Sequence, residues 1–167
     1  MNIYEVQPIF SHPPHPFELT IDAPGSKSIT NRALMLAALA NGETLLKGAL
    51  FSDDSRHFLQ CLKDLGFDVV VDEPAHTVRV TGFGGRIPKE TTAINVGSAG
   101  TAARFLTAML GCAKGVWHLD ASEQMKKRPM AALLNTLTDL GCRIDCHEKE
   151  GYFPFRFYCL PLQVLKE

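Results

Sequence analysis

Two octapeptides sharing one frame set the tightest limit on how this chain can fold. GSKSITNR, from Gly25 to Arg32, and GSAGTAAR, from Gly97 to Arg104, each carry Gly-Ser, five further residues and Arg, at an offset of 72. Further on, FLQCLKDLGFDV from Phe58 and LLNTLTDLGCRI from Leu133 share their apolar spacing and an Asp-Leu-Gly, at an offset of 75. Two matches at nearly one offset describe a duplicated unit of a little over 70 residues.

The same order of elements reads along each copy. A short strand (residues 17–21 and 93–96) runs into the Gly-Ser turn, and a helix follows (30–40 and 102–112), rich in Ala, Leu and Met. Next come a strand (44–47 and 116–119) and a second helix (54–65 and 129–140), with Gly66 and Gly141 placed to close it in a left-handed cap. Two alternating strands end each copy, 68–72 with 76–81 and 143–147 with 152–158. The expected fold is α/β, with βαβαββ present twice and helices packed on sheets. The expected boundaries are a lead-in segment at 1–16, carrying Pro8, Pro13, Pro14 and Pro16, a first unit at 17–88, a second at 89–162 and a tail at 163–167.

Composition narrows the function classes. Hydrophobic residues make up 46% of 167, enough for a packed core, and 17 Lys and Arg against 18 Asp and Glu leave no bulk charge to favour nucleic acid or an anionic membrane surface. Any anion site has to be local. The beginning of the chain lacks the basic and apolar regions of a secretory signal, and no stretch nears the roughly 18 apolar residues of a membrane span, so a cytoplasmic location is expected. Five scattered cysteines suit reduced thiols, and no disulfide is expected. Cys142-x3-Cys146-His147 lacks the paired spacing of a zinc site and reads as core, as do Phe153, Phe155 and Phe157 on one strand face; no metal or cofactor is expected. His57 and His118 have no inferable partner and read as structural.

A Gly-rich turn that opens a helix presents unpaired N–H groups and the positive end of the helix dipole, a natural seat for an anion. In the first turn, Lys27 adds a point charge, Ser26, Ser28 and Thr30 add hydroxyls, and Arg32 adds a bidentate partner for phosphate or carboxylate. In the second, Gly100 allows close backbone approach, with Thr101 and Arg104 as donors. The alternative is that the serines merely cap helices and the cations are solvated. SEQMKKRPM is a third basic element. Arg128 stands immediately before Pro129, a residue favoured in a first helical turn, so a helix start could aim it along the same edge; a solvated charge run is the competing reading.

Taken in order, PGSKSITNRALMLAALANGET, NVGSAGTAARFLTAML and QMKKRPMAALLNTLTDLG resemble the amino-terminal signatures of EPSP synthases, from about Phe17 to Leu162. The first is the most specific, because the related UDP-N-acetylglucosamine enolpyruvyl transferases typically have Lys-Asn where this chain has Lys27-Ser28. The resemblance implies repeated βαβαββ units of the enolpyruvyl transferase, or inside-out α/β barrel, type, two of six being present. It implies transfer of the enolpyruvyl group of phosphoenolpyruvate to the 5-hydroxyl of shikimate 3-phosphate. On matching positions, Ser28 and Arg32 would hold shikimate 3-phosphate, while Lys27, Gly100 and Arg128 would surround phosphoenolpyruvate, with Lys27 also catalytic. The family's Ser-Ser-Gln element and its acid-base Asp, Glu and Lys fall beyond Glu167, so the expected partner is the carboxy-terminal part of the same enzyme and the chain alone is expected to be inactive. Three positions depart from the family pattern: Ser98 stands where Asn is frequent, Phe105 where Pro is frequent, and Gln124 where an Arg is frequent. Another enolpyruvyl transferase, or a non-catalytic anion-binding module, are the other readings.

Overall fold

The computed structural model describes Thr20 and residues 23–159. Helix α1 (Lys27–Leu39) opens at Ser26, whose hydroxyl accepts from the Ile29 N–H at 3.4 Å, and buries Leu34, Ala37 and Ala38. Strand β1 (Asn41–Lys47) follows after a single residue, Ala40, which caps the helix. It pairs antiparallel with β3 (Thr77–Phe83) from Asn41↔Phe83 to Lys47↔Thr77, and β3 pairs antiparallel with β2 (Asp68–Asp72) on its other side. Gly82 lets α1 lie on this sheet, since a Cβ there would collide with the carbonyls of Ala37 and Ala40.

Helix α2 (Asp53–Asp64) starts in a reciprocal cap, with Ser55 N–H donating to the Ser52 hydroxyl at 3.4 Å and Ser52 N–H to that of Ser55 at 2.8 Å. It ends in a Schellman closure: Gly66 has φ +91° and donates to Lys63 O, and Phe67 N–H reaches back to Leu62 O. The second copy repeats this closure. At the end of α5 (Ala131–Asp139), Gly141 has φ +97° and donates to Thr138 O, and Cys142 N–H reaches Leu137 O.

In the second sheet β4 (Thr91–Asn95) runs parallel to β5 (Gly115–Asp120), which pairs antiparallel with β7 (Phe155–Cys159), which pairs with β6 (Arg143–Cys146). The order β5-β7-β6 repeats β1-β3-β2 of the first sheet. The strand expected at 17–21, which would correspond to β4, lies outside the described residues apart from Thr20. Helices α1 and α2 pack on the first sheet, α3 (Gly100–Gly111) and α5 touch the second, and α1 and α2 both meet α3. One apolar core therefore spans both copies, from Val78 and Val80 through Phe58 and Leu106 to Trp117, Phe155 and Phe157. The buried Trp117 indole N–H is satisfied by the Lys89 carbonyl at 3.1 Å.

Three expectations are corrected. Pro129 does not open a helix: a short helix α4 (Glu123–Lys126), capped by Ser122, comes first, and α5 begins at Ala131. A residue before proline is disfavoured in the helical region, so α4 has to end ahead of Pro129, and Met130 N–H is held by the Gly151 carbonyl at 2.8 Å before α5 can start. The last strand begins at Phe155 rather than 152, because Pro154 has no N–H for the ladder. Cys142 and Cys159 form a disulfide. Arg143 faces Tyr158 across β6 and β7, so the flanking cysteines face each other one step along, a neighbourhood created by strand pairing and hidden in their spacing. Cys61 is buried, Cys146 half-buried and Cys112 exposed, all three free.

Candidate functional site: a cationic cleft at two helix starts

Packing α1 against α3 brings the two glycine turns to one open cleft of about 500 Å³. Its lining holds Lys27, Arg32 and Phe105, with Gly100, Thr101, Arg104, Ser98, Gln124 and Arg128 beside them and Asp54 as the single carboxylate among the described residues. Four of the five positions expected from sequence to bind substrate, Lys27, Arg32, Gly100 and Arg128, thus share one surface. Ser28 is not in the lining; its carbonyl accepts from Arg32 Nη1 at 2.9 Å. Two other hydroxyls of the first turn are occupied within the fold, Ser26 as the α1 cap and buried Thr30 as acceptor for Leu50 N–H at 3.1 Å.

The second turn is built more tightly. Asn95 Oδ1 accepts from Gly97 N–H at 2.8 Å, and Gly97 adopts φ +57° with the His57 imidazole packed where a Cβ would project. The Gly97 carbonyl accepts from Ser122 N–H at 3.0 Å, which ties α4 to the turn. That link, not a helix beginning at Pro129, brings Arg128 to the cleft. Helix α3 has no side-chain cap: Ala99 occupies the N-cap and Ser98 does not substitute for it. Among the described residues no side chain caps its first N–H groups, in contrast to α1. An added Cβ on Gly100 would lie 3.1 Å from Arg128 Nη1 and 3.4 Å from Arg104 Nη1, so two guanidinium groups converge above it. Arg104 is restrained through Nη1 to the Gly100 carbonyl at 3.1 Å.

Among the described residues, the cleft gathers four cations against one anion. Lys27 Nζ is 3.3 Å from Asp54 Oδ2, with the lysine half exposed. Asp54 escaped sequence reasoning because an acid in the first turn of a helix is commonplace, and nothing local links it to a lysine on another helix. Lys126 belongs elsewhere: it contacts Glu148, Glu123 and Asp120 at 3.2, 3.4 and 3.7 Å, and the Glu148 bond raises its pKa. That residue of the basic run is engaged by local ion pairs, neither solvated nor part of the cleft. A larger cavity, about 640 Å³, is walled by Phe83, Ile87, Pro88 and Ala113; it also holds Arg86, and its Lys114 is paired with Glu90 at 3.5 Å. Among the described residues no three His, Cys, Asp or Glu side chains cluster to hold a metal, and no helix is long and apolar enough to cross a membrane.

Comparison with known proteins agrees with the fold. Residues 12–166 match the family model "EPSP synthase (3-phosphoshikimate 1-carboxyvinyltransferase)". The chain is 42% identical over 143 residues to the 3-phosphoshikimate 1-carboxyvinyltransferase of Trichormus variabilis, covering 86% of this chain and 34% of that one. It is 44% identical over 148 residues to the enzyme of that name from Opitutus terrae, again covering 86% and 34%. A solved EPSP synthase from Acinetobacter baumannii superposes with a TM-score of 0.76 at 27% identity, covering 84% of this chain and 32% of that one. The α/β class and enolpyruvyl transferase fold type expected from sequence are those of this neighbour. The chain spans about a third of the length of the curated relatives it matches. On the family match across nearly its whole length, this chain belongs to the EPSP synthase family.

Proposed function

We propose that this chain is the amino-terminal part of a cytoplasmic enzyme that transfers enolpyruvyl from phosphoenolpyruvate to the 5-hydroxyl of shikimate 3-phosphate, releasing phosphate, in chorismate biosynthesis. The observation that carries the reading is the convergence of Lys27, Arg32, Gly100 and Arg128, from three separate segments, on one cleft. Two polyanionic substrates need several fixed cations and N–H donors, and such groups also stabilise charge that develops during transfer. Arg32 serves shikimate 3-phosphate from the cleft, and Ser28, one turn before it on α1 and outside the lining, is assigned to the same ligand. Lys27, Gly100 and Arg128 serve phosphoenolpyruvate, with Lys27 placed to offset charge at the reacting group. The remaining wall of the site, and the groups that move protons, belong to the carboxy-terminal part.

An open half-site leaves its charges in water, where they act at high effective dielectric and are screened by salt. Shikimate 3-phosphate should therefore bind this chain no more tightly than about millimolar, roughly −4 kcal/mol, and more weakly as salt rises. The test is an NMR titration of the labelled chain. Shifts should centre on residues 25–32, Arg32→Ala should remove most of the binding, and Lys89→Ala should leave it intact. Shifts centred elsewhere, or indifference to Arg32→Ala, would reject the assignment. Binding without turnover in the complete protein would instead favour a non-catalytic anion-binding module.

A further inference from the structure

We infer that Phe105 is a positioning residue that holds the Arg32 guanidinium in the cleft, across the junction between the two repeated units. The inference rests on the reading of the cleft as an anion site and adds to it a residue with no charge and no hydrogen-bonding group. Arg32 Cζ stands 5.6 Å from the centroid of the Phe105 ring, within the range of a cation–π contact. Both residues line the cleft, one from α1 and the other from α3.

The ring is itself anchored, because Phe105 is half-buried and packs against the apolar core while presenting a face to the cleft. The guanidinium is held from two sides, by the ring and by the Ser28 carbonyl that accepts from Nη1 at 2.9 Å. A ring over the face of a guanidinium leaves its in-plane N–H groups clear; Nη1 is engaged by Ser28, and the donors on Nε and Nη2 remain to grip a phosphate in bidentate fashion. A side chain already confined loses less freedom when its ligand arrives. The first unit has no such device: Ala33 follows Arg32 where Phe105 follows Arg104. The ring therefore makes one cation of the pair special, and it does so from the other unit.

The test uses the full 167-residue chain with labelled arginine and shikimate 3-phosphate as probe, comparing wild type with Phe105→Leu, Phe105→Tyr and Arg32→Ala. A stacked ring shifts the Arg32 Nε–Hε resonance upfield by its ring current. Phe105→Leu should remove that shift and weaken binding about threefold, the scale of an exposed cation–π contact. Phe105→Tyr should keep both, and Arg32→Ala should weaken binding at least tenfold. An unchanged Nε–Hε shift in Phe105→Leu overturns the contact. A lost shift with unchanged affinity, while Arg32→Ala still abolishes binding, overturns the positioning role and leaves the anion site standing. Indifference of binding to Arg32→Ala sinks the anion site itself, and the positioning role with it.

Discussion

Arg32 and Arg104 make the same bond at the same place in the two repeats. Each donates from Nη1 to the carbonyl four residues earlier, Ser28 at 2.9 Å and Gly100 at 3.1 Å. The shared frame of the two octapeptides thus has a shared geometry, with each arginine folded back along the first turn of its helix toward the cleft. What differs is the surroundings: α1 is capped by Ser26 and α3 is uncapped, so the second turn offers more free backbone N–H groups to an anion.

Gly100→Ala should separate stability from binding. Gly100 begins α3 with ordinary helical backbone, and alanine there raises helix propensity by up to about 1 kcal/mol. The added methyl meets the mobile end of Arg128 at 3.1 Å, which has to give by a few tenths of an ångström, and touches that of Arg104 at 3.4 Å. Urea denaturation should show equal or greater stability, while phosphoenolpyruvate affinity by NMR falls about threefold or more. A loss of stability with unchanged affinity would contradict the placement of the two guanidinium groups.

Gly97→Ala should destabilise by about 1–3 kcal/mol, from a left-handed backbone together with an occupied Cβ position. Gly97 has φ +57° and the His57 imidazole lies against its Cα. Adding His57→Ala should recover the steric part and leave the backbone part, a non-additive pair measurable by a urea double-mutant cycle. Strict additivity would refute the contact.

Thiol titration reads the cysteine arrangement directly. The Cys142–Cys159 disulfide leaves Cys61, Cys112 and Cys146 as the free thiols of the chain's five cysteines. In the native state exposed Cys112 should react first. Burial pushes the Cys61 thiol up to about 12, so it should react only on unfolding. Loss of the crosslink by Cys159→Ser should cost about 3 kcal/mol, the chain-entropy value for a loop of this size. Five reactive thiols in unreduced, denatured protein would exclude the disulfide.

Acidification should weaken the second sheet through His118. Burial first, then the charges of Arg156 and His147, hold this imidazole below its ordinary value; the His147 ring lies 5.8 Å away, edge-on. A histidine held low favours folding in its neutral form. The unfolded chain therefore takes up the proton first, and stability declines as pH falls through the unfolded value of about 6.5. The urea midpoint should drop between pH 7.5 and 5.5, and His118→Asn should flatten the drop. An identical slope in the variant would remove His118 from the account.

How much of this was legible without coordinates follows from the range of each interaction. The closures at Gly66 and Gly141, the Ser26 cap and the apolar alternation of Phe155 and Phe157 depend on neighbours within about five positions, so the residues that cause them sit side by side in the chain. The repeat is legible for the same reason, because two copies of one local pattern need no knowledge of how they pack. The cleft is different. That Lys27 meets Asp54, that Phe105 covers Arg32, that Cys159 faces Cys142 and that Gly97 draws Ser122, and with it Arg128, into place are matters of how two units dock and how strands pair. Local propensity is silent on those distances, since each is created when apolar helix faces bury one another and carry their polar edges along. The amino-acid order alone specified the parts and the positive charge at each turn; packing of α1 against α3 turned two separate helix starts into one site.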